Sequence, residues 1–235
     1  MNKKTCTAIV LSAGQGKRMG TTIQKQYIQL DGKEIICHTL ETFQNSSVID
    51  YIVLVVGKGQ EEYCKKEIVE KYHFTKVRKI AEGGEERYHS VLNGLREITH
   101  QGYVFIHDGA RPFVSEEIME RAYDAVCRFG ACVVGMPVKD TIKIVDKEKF
   151  ISKTPDRRFV WQVQTPQVFR TDMVKEAYEK MIQSGYTQVT DDAMVVEKML
   201  GKKVKLVEGS YENIKITTPE DLDIAKVFLK RKNND

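Results

Sequence analysis

The sequence TAIVLSAGQGKRMG at residues 7–20 decides the fold. It joins a short apolar run, residues 7–12, directly to a glycine-rich loop. A run of this length that is apolar throughout is typical of a central strand covered on both faces. A glycine-rich loop after such a strand lets backbone N–H groups approach a bound anion. The stretch therefore predicts the first strand and a phosphate-binding loop of an α/β sheet.

Three further apolar runs have the same character, at residues 51–56, 103–107 and 131–136. Helix-period segments lie between the runs, and two of them gather apolar side chains on one face: Val91, Leu95 and Ile98 in the first, Ile118, Ala122 and Phe129 in the second. Alternation of strands and helices predicts an α/β fold with a doubly wound, mostly parallel sheet. We expect residues 1–235 to form a single domain, since neither a linker nor a repeat interrupts the pattern.

Composition excludes several classes of protein. The chain is 41% hydrophobic and 30% charged, and its net charge of +4 is too small for the basic surface of a nucleic-acid-binding protein. The N-terminal apolar stretch is too short for a signal peptide or a membrane span. The five cysteines form no CxxC pair, and Cys127 and Cys132 are interpreted as reduced core residues. These features predict a cytoplasmic protein with neither nucleic-acid nor membrane partners.

Residues 139–160 (KDTIKIVDKEKFISKTPDRRFV) break the alternation of strands and helices. Polar and apolar residues alternate there around a charged turn, which predicts a β-hairpin with too little apolar content for the core. Two interpretations of this protruding hairpin are open: a surface flap, or an arm that packs on another subunit.

The glycine-rich loop is distinguished by its cations. Lys17 and Arg18 lie inside it and Lys25 follows soon after. The spacing of its glycines fits neither the dinucleotide-binding fingerprint nor the P-loop. A triphosphate carries about four negative charges near neutral pH, which suits such a concentration of cations. The alternative is an ordinary tight turn with basic residues on the surface.

Three other segments each carry a weak signal. Asp108 and Arg111 follow the run at 103–107, where the crevice of an open α/β sheet lies. The Gly83–Gly84 turn leads to Ser90, and Lys215 precedes a capped helix. Taken singly, these features fit a salt-bridged turn, a plain turn and a solvated lysine. His107 is expected to pack rather than to catalyse.

Taken together and in order, these segments form a far more specific pattern than any one of them alone. The chain carries in order the motifs SAGQGKRMG, KQY, GGEER, HDGARP, PVKDT, DRRFVWQVQTPQ, TDDA and NIKITTPEDL. From residue 8 to about residue 229 it resembles the 2-C-methyl-D-erythritol 4-phosphate cytidylyltransferase family of the non-mevalonate isoprenoid pathway. The resemblance implies a Rossmann-like nucleotidyltransferase that takes CTP and methylerythritol phosphate and releases pyrophosphate. It also implies a homodimer joined through the hairpin at 139–160.

The resemblance assigns roles to residues of this chain. It implies that Arg18, Lys25 and Lys215 are catalytic. It implies that the nucleotide is bound by Ala13, Gly14, Gly16, Lys17, Gly83, Ser90 and Arg111. It implies that the sugar phosphate is bound by Asp108, Thr141, Arg157 and Thr190, of which Thr141 and Arg157 come from the neighbouring subunit's arm. Two positions depart from the family pattern, Gln24 in place of proline and Gly109 in place of alanine; we expect a looser loop before Lys25 and no effect at Gly109.

The chemistry that this implies needs no general base, because the attacking phosphate monoester has a second pKa near 6 and is largely ionised at pH 7. We expect Mg²⁺ as cofactor, held mainly by the CTP phosphates, because the sequence shows no dedicated acidic metal site. Two alternatives remain. A ribitol 5-phosphate cytidylyltransferase shares the loop, the lysine and the TPQ motif, but PVKDT and Arg157 favour methylerythritol phosphate. A non-catalytic nucleotide-binding module would not need Arg18, Lys25 and Lys215 together.

Overall fold

The computed structural model describes residues 3–14 and 24–232. The strands within these ranges are β1 Cys6–Ser12, β2 Gln29–Leu30, β3 Lys33–Glu34, β4 Tyr51–Val56, β5 Val77–Glu82, β6 Tyr103–Asp108, β7 Ala131–Pro137, β8 Ile144–Val145, β9 Ile151–Lys153, β10 Trp161–Arg170 and β11 Lys205–Glu208. The helices are α1 Ile35–Asn45, α2 Glu61–Tyr63, α3 Arg87–Arg96, α4 Glu116–Phe129, α5 Thr171–Ser184, α6 Asp192–Leu200 and α7 Pro219–Lys232. A π-helical segment, Cys64–Glu70, continues α2, and 3₁₀ turns lie at Lys25–Tyr27 and Arg157–Phe159.

Seven strands form the central sheet in the order β11-β7-β10-β6-β1-β4-β5. β10 runs antiparallel to β6 and β7, whereas β11, β7, β6, β1, β4 and β5 run in one direction. The α/β class and the mostly parallel, doubly wound sheet are thus confirmed. The carboxyl ends of β1, β4, β5 and β6 meet at one edge, which is where loops of such sheets bind ligands.

Helices cover both faces of the sheet because its strands are apolar on both sides. Ala8 and Val10 of β1 pack in one core with α1 and α4, while Ile9 packs in the other with α3, α5 and α6. The four apolar runs of the sequence all form buried strands of this sheet, as predicted.

Two expectations about the core are wrong. Phe129 is 56% exposed and lies under the Lys205 ammonium, whose nitrogen is 5.6 Å from the ring centre. Cys127 is also exposed, whereas Cys132 is buried. Both exposed residues belong to the last turn of α4, just before the left-handed Gly130 that ends the helix.

The hairpin is present. β8 and β9 pair antiparallel within the predicted 139–160 segment, and the turn between them is closed by Asp146, which accepts the backbone N–H of Phe150 at 2.8 Å. The side chains of both strands are exposed, and Val138 N–H donates to Val160 O at the base of the hairpin. The ribbon therefore protrudes from the sheet, and its short β8–β9 ladder has an irregularity in register between Ile144 and Val145.

Within residues 3–14 and 24–232, no helix is both long and apolar enough to cross a membrane.

The contact between α3 and the sheet yields a stability prediction. A Cβ on Gly94 would lie 2.7 Å from Ile9 Cγ2 and 3.1 Å from Val55 Cγ2. Gly94→Val should therefore lower the free energy of unfolding by about 1–3 kcal/mol through overpacking. Urea denaturation measures this, with Arg96→Ala on the exposed side of α3 as a control that stays within about 0.5 kcal/mol of the wild type. Wild-type stability for Gly94→Val would contradict the close packing described here.

Candidate active site

A cavity of about 570 Å³ opens at the carboxyl edge of β1 and β6. It is bounded by the loop after β1, the 3₁₀ turn at Lys25–Tyr27, the turn before α3, the end of β6 and the segment before α7. Predicted site residues supply much of its wall: Ala13, Gly14, Lys25, Ser90, Asp108 and Lys215. The sheet thus brings together residues from distant parts of the sequence.

Glycine is required next to the cavity wall because two loops nearly touch at Gly83, which does not itself line the cavity. A Cβ on Gly83 would lie 2.3 Å from Ala13 Cβ and 3.0 Å from Ser90 Oγ. Gly84 N–H donates to the buried Ser90 hydroxyl at 3.1 Å, which fixes the turn against α3. The approach of the two loops therefore brings Ala13, Gly84 and Ser90 together in the wall.

Lys25 is held beside the end of β1. Its ammonium donates to the backbone oxygen of Ile216 at 3.2 Å. The next residue, Gln26, is buried and donates to Ser12 O at 2.7 Å. Gln24, where the family pattern has proline, has φ −62°, the value that proline imposes. The turn thus joins the first strand to the segment that carries Lys215.

Asp108 lies at the centre of a group of cations. Its Oδ2 lies 2.8 Å from Lys215 Nζ and 3.9 Å from Arg111 Nε, and its Oδ1 lies 3.3 Å from Arg87 Nε. Burial by itself would raise the pKa of Asp108, but the three cations together hold it well below its usual range. The carboxylate is therefore ionised, and it presents Lys215 to the cavity.

Two neighbours of Asp108 support the site from beneath. His107 is buried, as expected, and burial lowers its pKa to about 4. Its ring nitrogens lie 3.1 Å from Arg111 O and 3.1 Å from Thr165 Oγ1. Arg111 donates to Asn213 O at 2.7 Å and does not line the cavity. In this structure Arg111 secures the segment that carries Lys215.

The remaining predicted residues lie apart from this cavity. Thr190 lines an adjoining cavity of about 520 Å³, which shares Glu85, Glu86 and Arg87 with the first. Thr141 and Arg157 are exposed at the hairpin and line neither cavity; Arg157 donates to Lys139 O at 2.9 Å. Gly16, Lys17 and Arg18 lie outside the described residues.

An ion pair between Arg87, which lines the cavity, and the buried Asp192 was not predicted from the sequence. Arg87 Nη1 and Nη2 each donate to one carboxylate oxygen of Asp192 at 2.8 Å. The hydroxyl of Tyr178 donates to Asp192 Oδ1 at 2.5 Å. Arg87 and Asp192 belong to the motifs GGEER and TDDA, so the motifs themselves were the available signal.

No group of three or more His, Cys, Asp or Glu side chains within residues 3–14 and 24–232 is placed to hold a metal ion. Three acidic residues line the cavity, Glu85, Glu86 and Asp108, and Asp108 already pairs with three cations. The cavity itself is suited to a polyanion, because Lys25 and Lys215 both line it.

Comparison with known proteins agrees with this geometry. The family model for IspD, 2-C-methyl-D-erythritol 4-phosphate cytidylyltransferase, matches residues 6–231. A relative of that name from Lachnospira eligens is 51% identical over 95% of this chain and 99% of its own length. Another, from Alkaliphilus metalliredigens, is 47% identical over 97% of this chain and 94% of its own.

Solved structures point to the same family. The 4-diphosphocytidyl-2C-methyl-D-erythritol synthase of Anaerococcus prevotii superimposes with a TM-score of 0.86 at 37% identity, over 97% of this chain and 96% of that one. The 2-C-methyl-D-erythritol 4-phosphate cytidylyltransferase of Francisella tularensis gives a TM-score of 0.79 at 31% identity, over 95% and 99%. The chain therefore belongs to the 2-C-methyl-D-erythritol 4-phosphate cytidylyltransferase family, a family of CTP-dependent nucleotidyltransferases of the non-mevalonate isoprenoid pathway.

Proposed function

We propose that this protein transfers the cytidylyl group of CTP to 2-C-methyl-D-erythritol 4-phosphate. The products are 4-diphosphocytidyl-2-C-methyl-D-erythritol and pyrophosphate. The observation that carries the proposal is the cavity at the carboxyl edge of the sheet, where Lys25 and Lys215 meet in a chain that matches the family along residues 6–231. A polyanionic nucleotide and an anionic acceptor both need such cations.

The reaction follows from charge. An oxygen of the acceptor phosphate attacks the α-phosphorus of CTP, the bond from that phosphorus to the bridging oxygen breaks, and pyrophosphate leaves with the electron pair. The attacking oxygen is already ionised near neutral pH, so no side chain has to remove a proton. The protein must instead bring two anions together and stabilise the charge that develops at phosphorus.

In this proposal, Lys25 and Arg18 stabilise the transition state, and Lys215 positions the acceptor phosphate under the control of Asp108. The nucleotide lies against Ala13, Gly14, Gly16, Lys17, Gly83 and Ser90. Arg111 acts through its contacts with Asp108 and Asn213. Thr190 receives the sugar phosphate from the adjoining cavity, which shares Arg87 with the first.

Mg²⁺ is the proposed cofactor. Bound to the CTP phosphates, it would neutralise part of their charge and so ease the approach of a second anion. The described cavity offers it no free carboxylate cage, which is consistent with an ion held mainly by phosphate and water.

The hairpin is proposed to be a dimerisation arm within a single nucleotidyltransferase domain. Large apolar side chains are exposed on it, with Phe150 70% and Phe159 80% accessible, as expected of a surface that packs on a partner. Thr141 and Arg157 lie on the same segment and outside the cavities of their own chain. Their proposed role is to reach the sugar phosphate in the other subunit.

The free thiols fit the reducing cytoplasm, where we place the enzyme.

Lys25 tests the catalytic part of the proposal. Lys25→Ala should lower kcat more than tenfold, because it removes a cation that faces the developing charge. Pyrophosphate release from purified, folded protein measures the effect. The matched control is Lys58→Ala, which removes an exposed lysine from the turn after β4 and should leave kcat unchanged. Near-normal turnover of Lys25→Ala would rule out the assigned role.

Mixed dimers test the arm. Arg157→Ala damages the arm and Lys215→Ala damages the cavity, so each variant alone should be inactive. When equal amounts are refolded together, about half of the dimers contain one of each, and one of their two sites is intact. We expect about a quarter of wild-type activity. Inactive mixtures in which mixed dimers are shown to form would exclude a site shared through the arm.

A further inference from the structure

Five side chains form a continuous polar chain from the core to the cavity. Tyr178 donates to Asp192, Asp192 binds Arg87, Arg87 binds Asp108, and Asp108 binds Lys215. The chain joins α5, α6, α3, the end of β6 and the segment before α7. Of its five members, only Asp108 and Lys215 have roles that the family resemblance implies.

The inner end of this chain is rigid. Asp192 is fully buried as the first residue of α6, and both of its carboxylate oxygens are bound by the Arg87 guanidinium. The buried Tyr178 hydroxyl binds one of these oxygens as well. A bidentate pair of this kind fixes the plane of the guanidinium, which a single contact would not do.

At the cavity end of this polar chain, the two oxygens of the Asp108 carboxylate bind two different cations. Arg87 Nε contacts Oδ1 of Asp108, whereas Lys215 Nζ contacts Oδ2. With Oδ1 occupied, the carboxylate cannot rotate freely about its Cβ–Cγ bond. The position of the Lys215 ammonium therefore depends on the guanidinium of Arg87, which binds the other oxygen of the carboxylate and itself lines the cavity.

We infer that Arg87 is a positioning residue for nucleotidyl transfer: it holds Oδ1 of Asp108, and Asp108 in turn holds the Lys215 ammonium at the cavity wall. This inference rests on the proposed function. Without Arg87, Asp108 can turn both oxygens toward Lys215 and withdraw it from the substrate. The cavity carboxylate, Asp108, would then also face incoming phosphates with one cation fewer.

Lysine cannot replace Arg87 fully. Three guanidinium nitrogens of Arg87 reach two carboxylates, in a fixed planar fork. A lysine ammonium keeps the charge but is a single point, so it can pair well with one carboxylate at a time. Arg87→Lys should therefore retain the fold and recover only part of the turnover lost in Arg87→Met.

A double-mutant cycle tests whether Arg87 acts through Asp108. The variants are Arg87→Met, Arg87→Lys, Asp108→Asn and each double variant, with Arg96→Met on the exposed side of α3 as the matched control. We would measure kcat by pyrophosphate release, the dissociation constant of Mg·CTP by calorimetry and the melting temperature. Arg87→Met should lower kcat at least tenfold and change the Mg·CTP dissociation constant less than threefold. Arg96→Met should match the wild type.

The effect of Arg87→Met in the wild-type enzyme and in the Asp108→Asn variant distinguishes a positioning role of Arg87 from a purely structural one. In an Asp108→Asn background, adding Arg87→Met should change kcat less than twofold, because the residue that transmits the effect is already altered. An equal loss in both backgrounds, or wild-type kcat in folded Arg87→Met, would overturn the inference. If Arg87→Met does not fold, the cycle with Arg87→Lys decides by the same criterion. Absence of turnover in the wild-type enzyme would instead refute the proposed function, and this inference with it.

Discussion

At the end of β6, the carboxylate of Asp108 lies within 3.9 Å of nitrogens from Lys215, Arg87 and Arg111. Each of these cations comes from a different part of the chain, and each is attached to a different element of the fold. Removing a buried carboxylate that pairs with several cations leaves their charges uncompensated, which is costly in a poorly solvated site. The geometry of the cavity therefore depends on this one charged group.

The parallel sheet is what allows Asp108 to have this role. The carboxyl ends of β1 and β6 are adjacent, so the loop after one and the carboxylate after the other face the same space. A small third core, in which Ile216 packs with Leu30 and Ala225 of α7, lies beneath the segment between Lys215 and α7. The backbone oxygen of Ile216 also accepts a hydrogen bond from the Lys25 ammonium, so the packing of α7 influences the positions of both Lys25 and Lys215.

Patterns within one segment were enough to predict four of the seven central strands and the hairpin. A strand that is buried on both faces has an unbroken apolar run in its sequence. A solvent-exposed hairpin has alternating polar and apolar residues around a charged turn. The end of α4 was mispredicted because neither helical period, at Phe129, nor neighbouring apolar residues, at Cys127, show which side chains of a last turn the fold covers. The pairing of Arg87 with Asp192 could not be predicted, since 105 positions separate them and only the fold brings them together.

The central claim is that this cavity joins CTP to methylerythritol phosphate. It is tested most directly by pyrophosphate release from the purified protein with Mg²⁺ and CTP, with 2-C-methyl-D-erythritol 4-phosphate and ribitol 5-phosphate compared as acceptors. We expect efficient release with the methylerythritol phosphate and little with the ribitol phosphate. Equal or greater efficiency with ribitol 5-phosphate, or no release with either acceptor, would contradict the account.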